Sequence, residues 1–113
     1  MRPVVAAFAD EHRGERHTFG VCRSGTVILD VRTHEEFATG HLAGARNIDV
    51  GSPDFTETVA ALPKDGTYAL YCRSGNRSGQ ALSAMTQLGF TRVYHLAGGI
   101  SAWESAGQPV TTD

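Results

Sequence analysis

The stretch Tyr68-Ala69-Leu70-Tyr71-Cys72-Arg73-Ser74-Gly75-Asn76-Arg77-Ser78 admits few local structures. Residues 68–71 are aromatic and aliphatic with no Pro or Gly among them, which predicts a buried strand. Further on, Ala81, Leu82, Met85 and Leu88 recur at i, i+1, i+4 and i+7, and Gly89 closes the run. That pattern predicts an amphipathic helix with a glycine stop. A thiol, a glycine, two arginines, two serines and an asparagine are therefore confined to a tight turn between a strand and a helix.

Such a turn makes an unusual setting for a cysteine. N–H groups at a helix N-terminus have no intrahelical partner, and the helix dipole adds partial positive charge there. Successive N–H groups in a curled loop form an anion-binding nest. Cys72 at its mouth, with Arg73 and Arg77 nearby, is expected to have a stabilised thiolate. Gly75 supplies the backbone freedom that the curl requires. The loop is suited to a thiolate nucleophile that attacks an anionic substrate bearing sulfur or phosphorus.

The chain has 113 residues, enough for one domain with its own core and no disulfide staples. A hydrophobic content of 41% and a charged content of 19% are ordinary for a globular protein. The net charge of −2 gives no footprint for nucleic acid, and no stretch has the apolar length of a membrane span. Residues 4–9 are too short for a signal-peptide core and run into charge. Two cysteines do not make a secreted disulfide framework, so a reducing, cytoplasmic setting is the expectation.

Residues 1–25 read as a divergent N-terminal segment of the same domain, 26–107 as its core and 108–113 as a loose tail. Val4, Val5 and Phe8 make one apolar stripe of a short helix through His12. His12 and His17 have no other metal-ligand types clustered with them and read as solvated. Cys22-Arg23-Ser24-Gly25 repeats the first letters of the Cys72 loop, but it precedes a strand instead of ending one. In open parallel sheets ligands gather at the carboxyl ends of strands, so Cys22 reads as a structural or incidental thiol.

Residues 26–31 form the clearest strand, apolar enough for burial on both faces. Asp30 and Arg32 at its end share a side; they either support the Cys72 loop or form a strand-end ion pair. Thr33 and Glu36 make a capping box for a short helix that stops at Gly40. His41 reads as structural, because a nucleophile ionised by its loop needs no general base. Residues 47–50 are expected as a short strand, and Ser52-Pro53 as N-cap and first position of a helix carrying Phe55, Val59 and Leu62. Residues 92–96 alternate as another strand, and 100–106 form a last helix with Trp103 packed on the sheet. This alternation predicts an α/β domain whose central, mostly parallel sheet carries helices on both faces.

Four segments in order resemble the rhodanese (thiosulfate sulfurtransferase) family. Cys72 to Ser78 is similar to its active-site loop. Leu29-Asp30-Val31-Arg32, Gly40-His41-Leu42-Ala43-Gly44-Ala45-Arg46-Asn47-Ile48 and Leu96-Ala97-Gly98-Gly99-Ile100-Ser101-Ala102-Trp103 match its flanking pattern. The resemblance covers residues 27–107 and implies a single-domain, rhodanese-like three-layer fold. It implies a sulfurtransferase in which Cys72 takes a sulfane sulfur from thiosulfate or a persulfide donor. The resulting Cys72 persulfide would pass that sulfur to cyanide, a thiol or a protein cysteine, by covalent catalysis in two half-reactions. Arg73, Ser74, Gly75, Asn76, Arg77 and Ser78 would bind the substrate, with Asp30 and Arg32 in support. No metal or organic cofactor is implied, and the implied partners are a small sulfur-containing anion, its acceptor and an acceptor protein, with neither nucleic acid nor membrane.

Two rival readings follow from the same residues. Cysteine phosphatases and arsenate reductases also set a cysteine before an anion-binding loop, but with one more residue between it and the essential arginine. Here four residues separate Cys72 from Arg77, a smaller cradle that suits a sulfur atom better than a phosphoryl group. A rhodanese-like binding module commonly lacks the cysteine, which this chain keeps; a slow sulfur carrier or sensor would keep it.

Overall fold

The computed structural model describes residues 5–10 and 15–20 as backbone and residues 26–113 in full. Six strands form one sheet: β1 (Val5–Asp10), β2 (Glu15–Gly20), β3 (Thr26–Asp30), β4 (Arg46–Asn47), β5 (Thr67–Tyr71) and β6 (Arg92–Leu96). Their order is β2-β1-β6-β5-β3-β4. The four strands β6, β5, β3 and β4 run parallel, while β1 pairs antiparallel with β2 and β6. Helices α1 (His34–Thr39), α2 (Phe55–Ala60), α3 (Asn76–Gln87) and α4 (Gly99–Ser105) make the crossovers and the end of the domain. The chain thus has the expected α/β architecture with a central, mostly parallel sheet.

Strand periodicity divides the core into two halves. Leu29, Val31, Tyr68, Leu70, Cys72 and Val93 project to the face covered by Phe55 and Val59 of α2 and Ala81, Leu82 and Met85 of α3. Ile28, Ala69, Tyr71 and Leu96 project to the other, against Leu42 and α4 residues Ile100 and Trp103. Trp103 is a core residue, its indole N–H donating to the Pro109 carbonyl at 2.8 Å. The register of β3 on β5, from Thr26 opposite Thr67 to Asp30 opposite Tyr71, brings their carboxyl ends level. Cys72 emerges directly beyond that line.

Several local expectations are corrected. Residues 5–10 form strand β1 where a short helix was expected. Its backbone is bonded on both edges, to β2 and to β6, and those ladder bonds outweigh the three-residue apolar stripe. His12 and Cys22 lie outside the described residues. The helix expected from Ser52-Pro53 begins two residues later with Asp54 as its N-cap, because the Ser52 hydroxyl and carbonyl close a turn onto the N–H groups of Asp54 and Phe55. Strand β4 is short and begins one residue earlier than expected; past it Ile48 and Val50 N–H still donate to the Asp30 and Val31 carbonyls, and the Asn47 side chain donates to the Asp30 and Arg32 carbonyls at 3.0 and 2.9 Å. The Thr33–Glu36 capping box is formed as read.

The loose tail is also corrected. Thr111 exchanges two 2.8 Å backbone hydrogen bonds with His41, forming an isolated antiparallel bridge. His41 is buried, stacks on Phe37, and sets Nδ1 and Nε2 each 2.8 Å from the Phe37 and Asp113 carbonyls. Both ring nitrogens thus face main-chain oxygens of α1 and the tail, and neither faces Cys72. Replacing His41 with Leu is expected to cost about 1 kcal/mol in urea unfolding, the usual net effect of losing hydrogen bonds to half-buried and exposed main-chain oxygens. Specific activity of the folded fraction should be retained.

Candidate active site

Cys72 follows β5 at the carboxyl end of the parallel sheet, where crossover loops converge. The turn that follows is shorter than the sequence suggests, because α3 starts at Asn76 and takes Asn76, Arg77 and Ser78 into its first turn. Gly75, at φ 106°, is its N-cap. A Cβ on Gly75 would overlap the Ala97 carbonyl oxygen, and one on Gly99 the Arg73 carbonyl, so the Cys72 loop and the turn into α4 interlock backbone to backbone. Across this contact Ile100 N–H donates to the Cys72 carbonyl at 2.9 Å and Ser101 N–H to the Arg73 carbonyl at 3.1 Å.

A trans peptide points its C=O and N–H in opposite directions. Turning the Arg73 carbonyl toward α4 therefore turns the Ser74 N–H toward the sulfur. Gly75 N–H lies 3.0 Å from Cys72 Sγ, and Ser78 Oγ lies 3.6 Å from it. Burial pushes the thiol pKa up. The Ser78 N–H and hydroxyl, with the N–H groups of Gly75 and Ser74, outweigh it and bring the pKa below the ordinary thiol value. The residue is only 1% exposed, so a reactant must reach the sulfur through the loop.

Arg73 and Arg77, expected as a pair of loop cations, diverge. Arg73 is exposed and helps line a neighbouring groove of about 250 Å³, with Arg32, Glu36 and Thr39 on one side and Ile100, Ser101 and Glu104 on the other. Arg77 forms a two-pronged ion pair with Glu36, at 2.7 and 3.0 Å. Its guanidinium faces α1, and its charge reaches Cys72 only as a longer-range field. The Arg77 bond, with lesser help from Thr33, holds Glu36 down to about 2 against the cost of burial. Asn76 and Ser74 are exposed at the rim.

Asp30 and Arg32 join each other and not the Cys72 loop. Asp30 is fully buried and accepts Arg32 Nε at 3.0 and 3.1 Å, an Arg32 terminal nitrogen at 2.7 Å and the Arg32 backbone N–H at 2.9 Å. Tyr71 completes the set, donating its hydroxyl to Asp30 at 2.8 Å and accepting Leu42 N–H at 3.0 Å. Burial, then the nearby Asp30 charge, keeps the Tyr71 phenol far above its ordinary pKa. Of the two roles left open by sequence, the ion pair at the strand end is what the structure shows.

Two residues near the site escaped the sequence reading. Glu36 was seen only as a helix cap. His95, buried on β6, brings Nδ1 to 2.8 Å from Ser78 Oγ. A polar residue at an inward position of an alternating strand was the available signal for His95; nothing in the sequence foretold the Glu36–Arg77 pair, whose members are 41 residues apart.

A cysteine beside the N–H groups of Ser74, Gly75 and Ser78, at the carboxyl end of a parallel α/β sheet, defines a site that favours a thiolate. The chain belongs to the Rhodanese-like domain family, whose family model matches residues 20–106. It is 37% identical over 82 residues to the thiosulfate sulfurtransferase GlpE of Pseudomonas aeruginosa, covering 73% of each protein. It is 42% identical over 83 residues to the probable adenylyltransferase/sulfurtransferase MoeZ of Mycobacterium tuberculosis, covering 74% of this chain but 21% of MoeZ, so the chain spans about a fifth of that relative. A rhodanese-related protein from Thermoplasma volcanium superposes with a TM-score of 0.71 at 34% identity, covering 79% of this chain and 86% of that one. An Escherichia coli rhodanese with anions does so with a TM-score of 0.62 at 30% identity, covering 78% and 99%.

Two variants test this geometry. Glu36 is depressed from 4.5 to about 2, so the stability it contributes is complete above its ordinary range and is lost as pH falls toward about 2. With both partners about a third exposed, Glu36→Gln should cost about 1 kcal/mol or less near neutrality, and the difference in urea midpoint should vanish across that acid window. Gly75→Ala should force the loop off Ala97 and slow alkylation of Cys72 by iodoacetamide at least about tenfold, as expected from losing a charge-assisted bond to the sulfur.

Proposed function

We propose that the protein is a sulfurtransferase working through a persulfide on Cys72. The observation that carries this is the position of Cys72 Sγ, 3.0 Å from the Gly75 N–H in a short loop whose N–H groups favour the thiolate. A thiolate so placed attacks the terminal sulfur of thiosulfate or of a persulfide donor. The new S–S bond forms on Sγ as the old one breaks, and sulfite or a thiolate leaves with the electron pair. A thiophilic acceptor (cyanide, a thiol or a protein cysteine) then attacks the outer sulfur and returns Cys72 as thiolate.

The N–H groups that hold the thiolate also suit the persulfide anion, so the intermediate needs no metal and no organic cofactor. The Ser74 hydroxyl, the Asn76 side chain and the exposed Arg73 would meet the anionic end of the donor, while the buried Ser78 hydroxyl would stay at the Cys72 sulfur. Asp30 and Arg32 would support the loop indirectly through the β3 corner. Relatives named as thiosulfate sulfurtransferases and a rhodanese solved with anions support the same chemistry. The loop has one residue fewer than a phosphatase loop, which argues against phosphoryl transfer. Among the described residues no helix is long and apolar enough to cross a membrane. A thiolate enzyme of this kind is suited to a reducing compartment, and we place it in the cytoplasm.

Burial of Cys72 favours a second reading, in which the persulfide is stored and passed slowly to one partner protein. Intact mass separates the readings. Thiosulfate should add one sulfur atom to the wild type and to Cys22→Ser, and none to Cys72→Ser. Cyanide should then remove it. A folded, reduced protein that gains no sulfur sinks the thiosulfate reading; a persulfide that cyanide and small thiols leave in place selects the carrier.

A further inference from the structure

The geometry points to His95 as a positioning residue for the nucleophile, acting through Ser78: its Nδ1–H holds the Ser78 hydroxyl so that the hydroxyl proton faces the Cys72 sulfur. Three observations build the relay. Ser78 is fully buried, and its Oγ lies 2.8 Å from His95 Nδ1 and 3.6 Å from Cys72 Sγ. His95 is itself buried, at 2% exposure. The sheet register explains the meeting, because His95 stands opposite Leu70 on the parallel neighbour strand, and Leu70 and Cys72 project to the same face. His95 is thereby delivered beneath the first turn of α3.

Hydrogen counting gives the relay its direction. The Ser78 hydroxyl has one proton and three neighbours able to take it: the Gly75 carbonyl at 3.2 Å, His95 Nδ1 and the sulfur. The Gly75 carbonyl already accepts Gly79 N–H at 3.1 Å, so it does not depend on Ser78. A thiolate sulfur accepts only, and takes that proton in addition to the N–H groups already facing it. Ser78 can give it only if Nδ1 is a donor toward Oγ and not a competing acceptor. In the thiol form the order reverses, with the S–H toward Oγ, so the serine rotor follows the charge on sulfur.

The inference rests on Cys72 being the nucleophile but requires no sulfur donor to test. In a Cys22→Ser background Cys72 is the sole thiol, and its alkylation by iodoacetamide, at a pH below its own pKa, reports the thiolate fraction. His95→Leu should slow alkylation about tenfold, as should Ser78→Ala, the usual effect of one hydrogen bond to a charged group. The double variant should be no slower than Ser78→Ala alone. His95→Asn, whose amide N–H has about the reach of Nδ1, should recover most of the loss, while His95→Gln, longer by one methylene, should not. If His95→Leu fails to fold, the Asn and Gln variants decide the matter by the same measurement. Alkylation of His95→Leu at the parent rate, equal rates for Asn and Gln, or losses that multiply in the double variant would overturn the relay. Failure of sulfur transfer alone would leave it standing.

Discussion

Two hydrogen bonds from the start of α4, to the carbonyls of Cys72 and Arg73, anchor the loop that carries the nucleophile. The bond to the Arg73 carbonyl turns it toward α4, and peptide planarity then turns the Ser74 N–H toward the sulfur. The approach is possible only because Gly75 and Gly99 have no Cβ to place against the Ala97 and Arg73 carbonyls. The anion-binding loop is therefore a product of two crossovers locked together. The β6–α4 turn shapes the loop as much as the loop's own sequence does.

That lock decides what kind of positive field the site has. A loop written with two arginines suggests side-chain cations converging on a substrate, yet Arg77 is engaged by Glu36 and Arg73 lies on the exposed rim. The thiolate is stabilised chiefly by N–H groups at the start of α3 and by one buried hydroxyl. Backbone donors are short and fixed, which suits a compact charge on sulfur and costs no side-chain ordering. Arg77 has a structural consequence as well, tying the first turn of α3 to the first turn of α1 through a carboxylate that also completes the Thr33 capping box.

The β3 corner supports this tie from below. Asp30, fully buried, would be costly as an isolated charge. Instead it meets Arg32 with two side-chain nitrogens and one backbone N–H, and the Tyr71 hydroxyl with a fourth donor. Since Tyr71 directly precedes Cys72 and Arg32 directly precedes Thr33, the network holds the nucleophile's strand and the α1 cap in one frame. It also reaches the segment after α1, through Arg32 to the Gly40 carbonyl and Tyr71 to the Leu42 N–H.

The sequence by itself determined the parallel strands, the helix stripes, the Thr33 cap and the placement of Cys72 between a strand and a helix. Each is a local matter of side-chain period, capping chemistry or glycine position, legible over a few residues. Tertiary structure decided the rest. Residues 5–10 became a strand because β6 and β2 offered hydrogen bonds on both edges, and the tail was pinned because His41 offered a bridge to Thr111. Arg77 met Glu36, and His95 met Ser78, across 41 and 17 residues of chain. No local pattern encodes such pairs, because the strand register and the placing of the α1 and α3 first turns within side-chain reach set the distances, and these exist only once the sheet has formed.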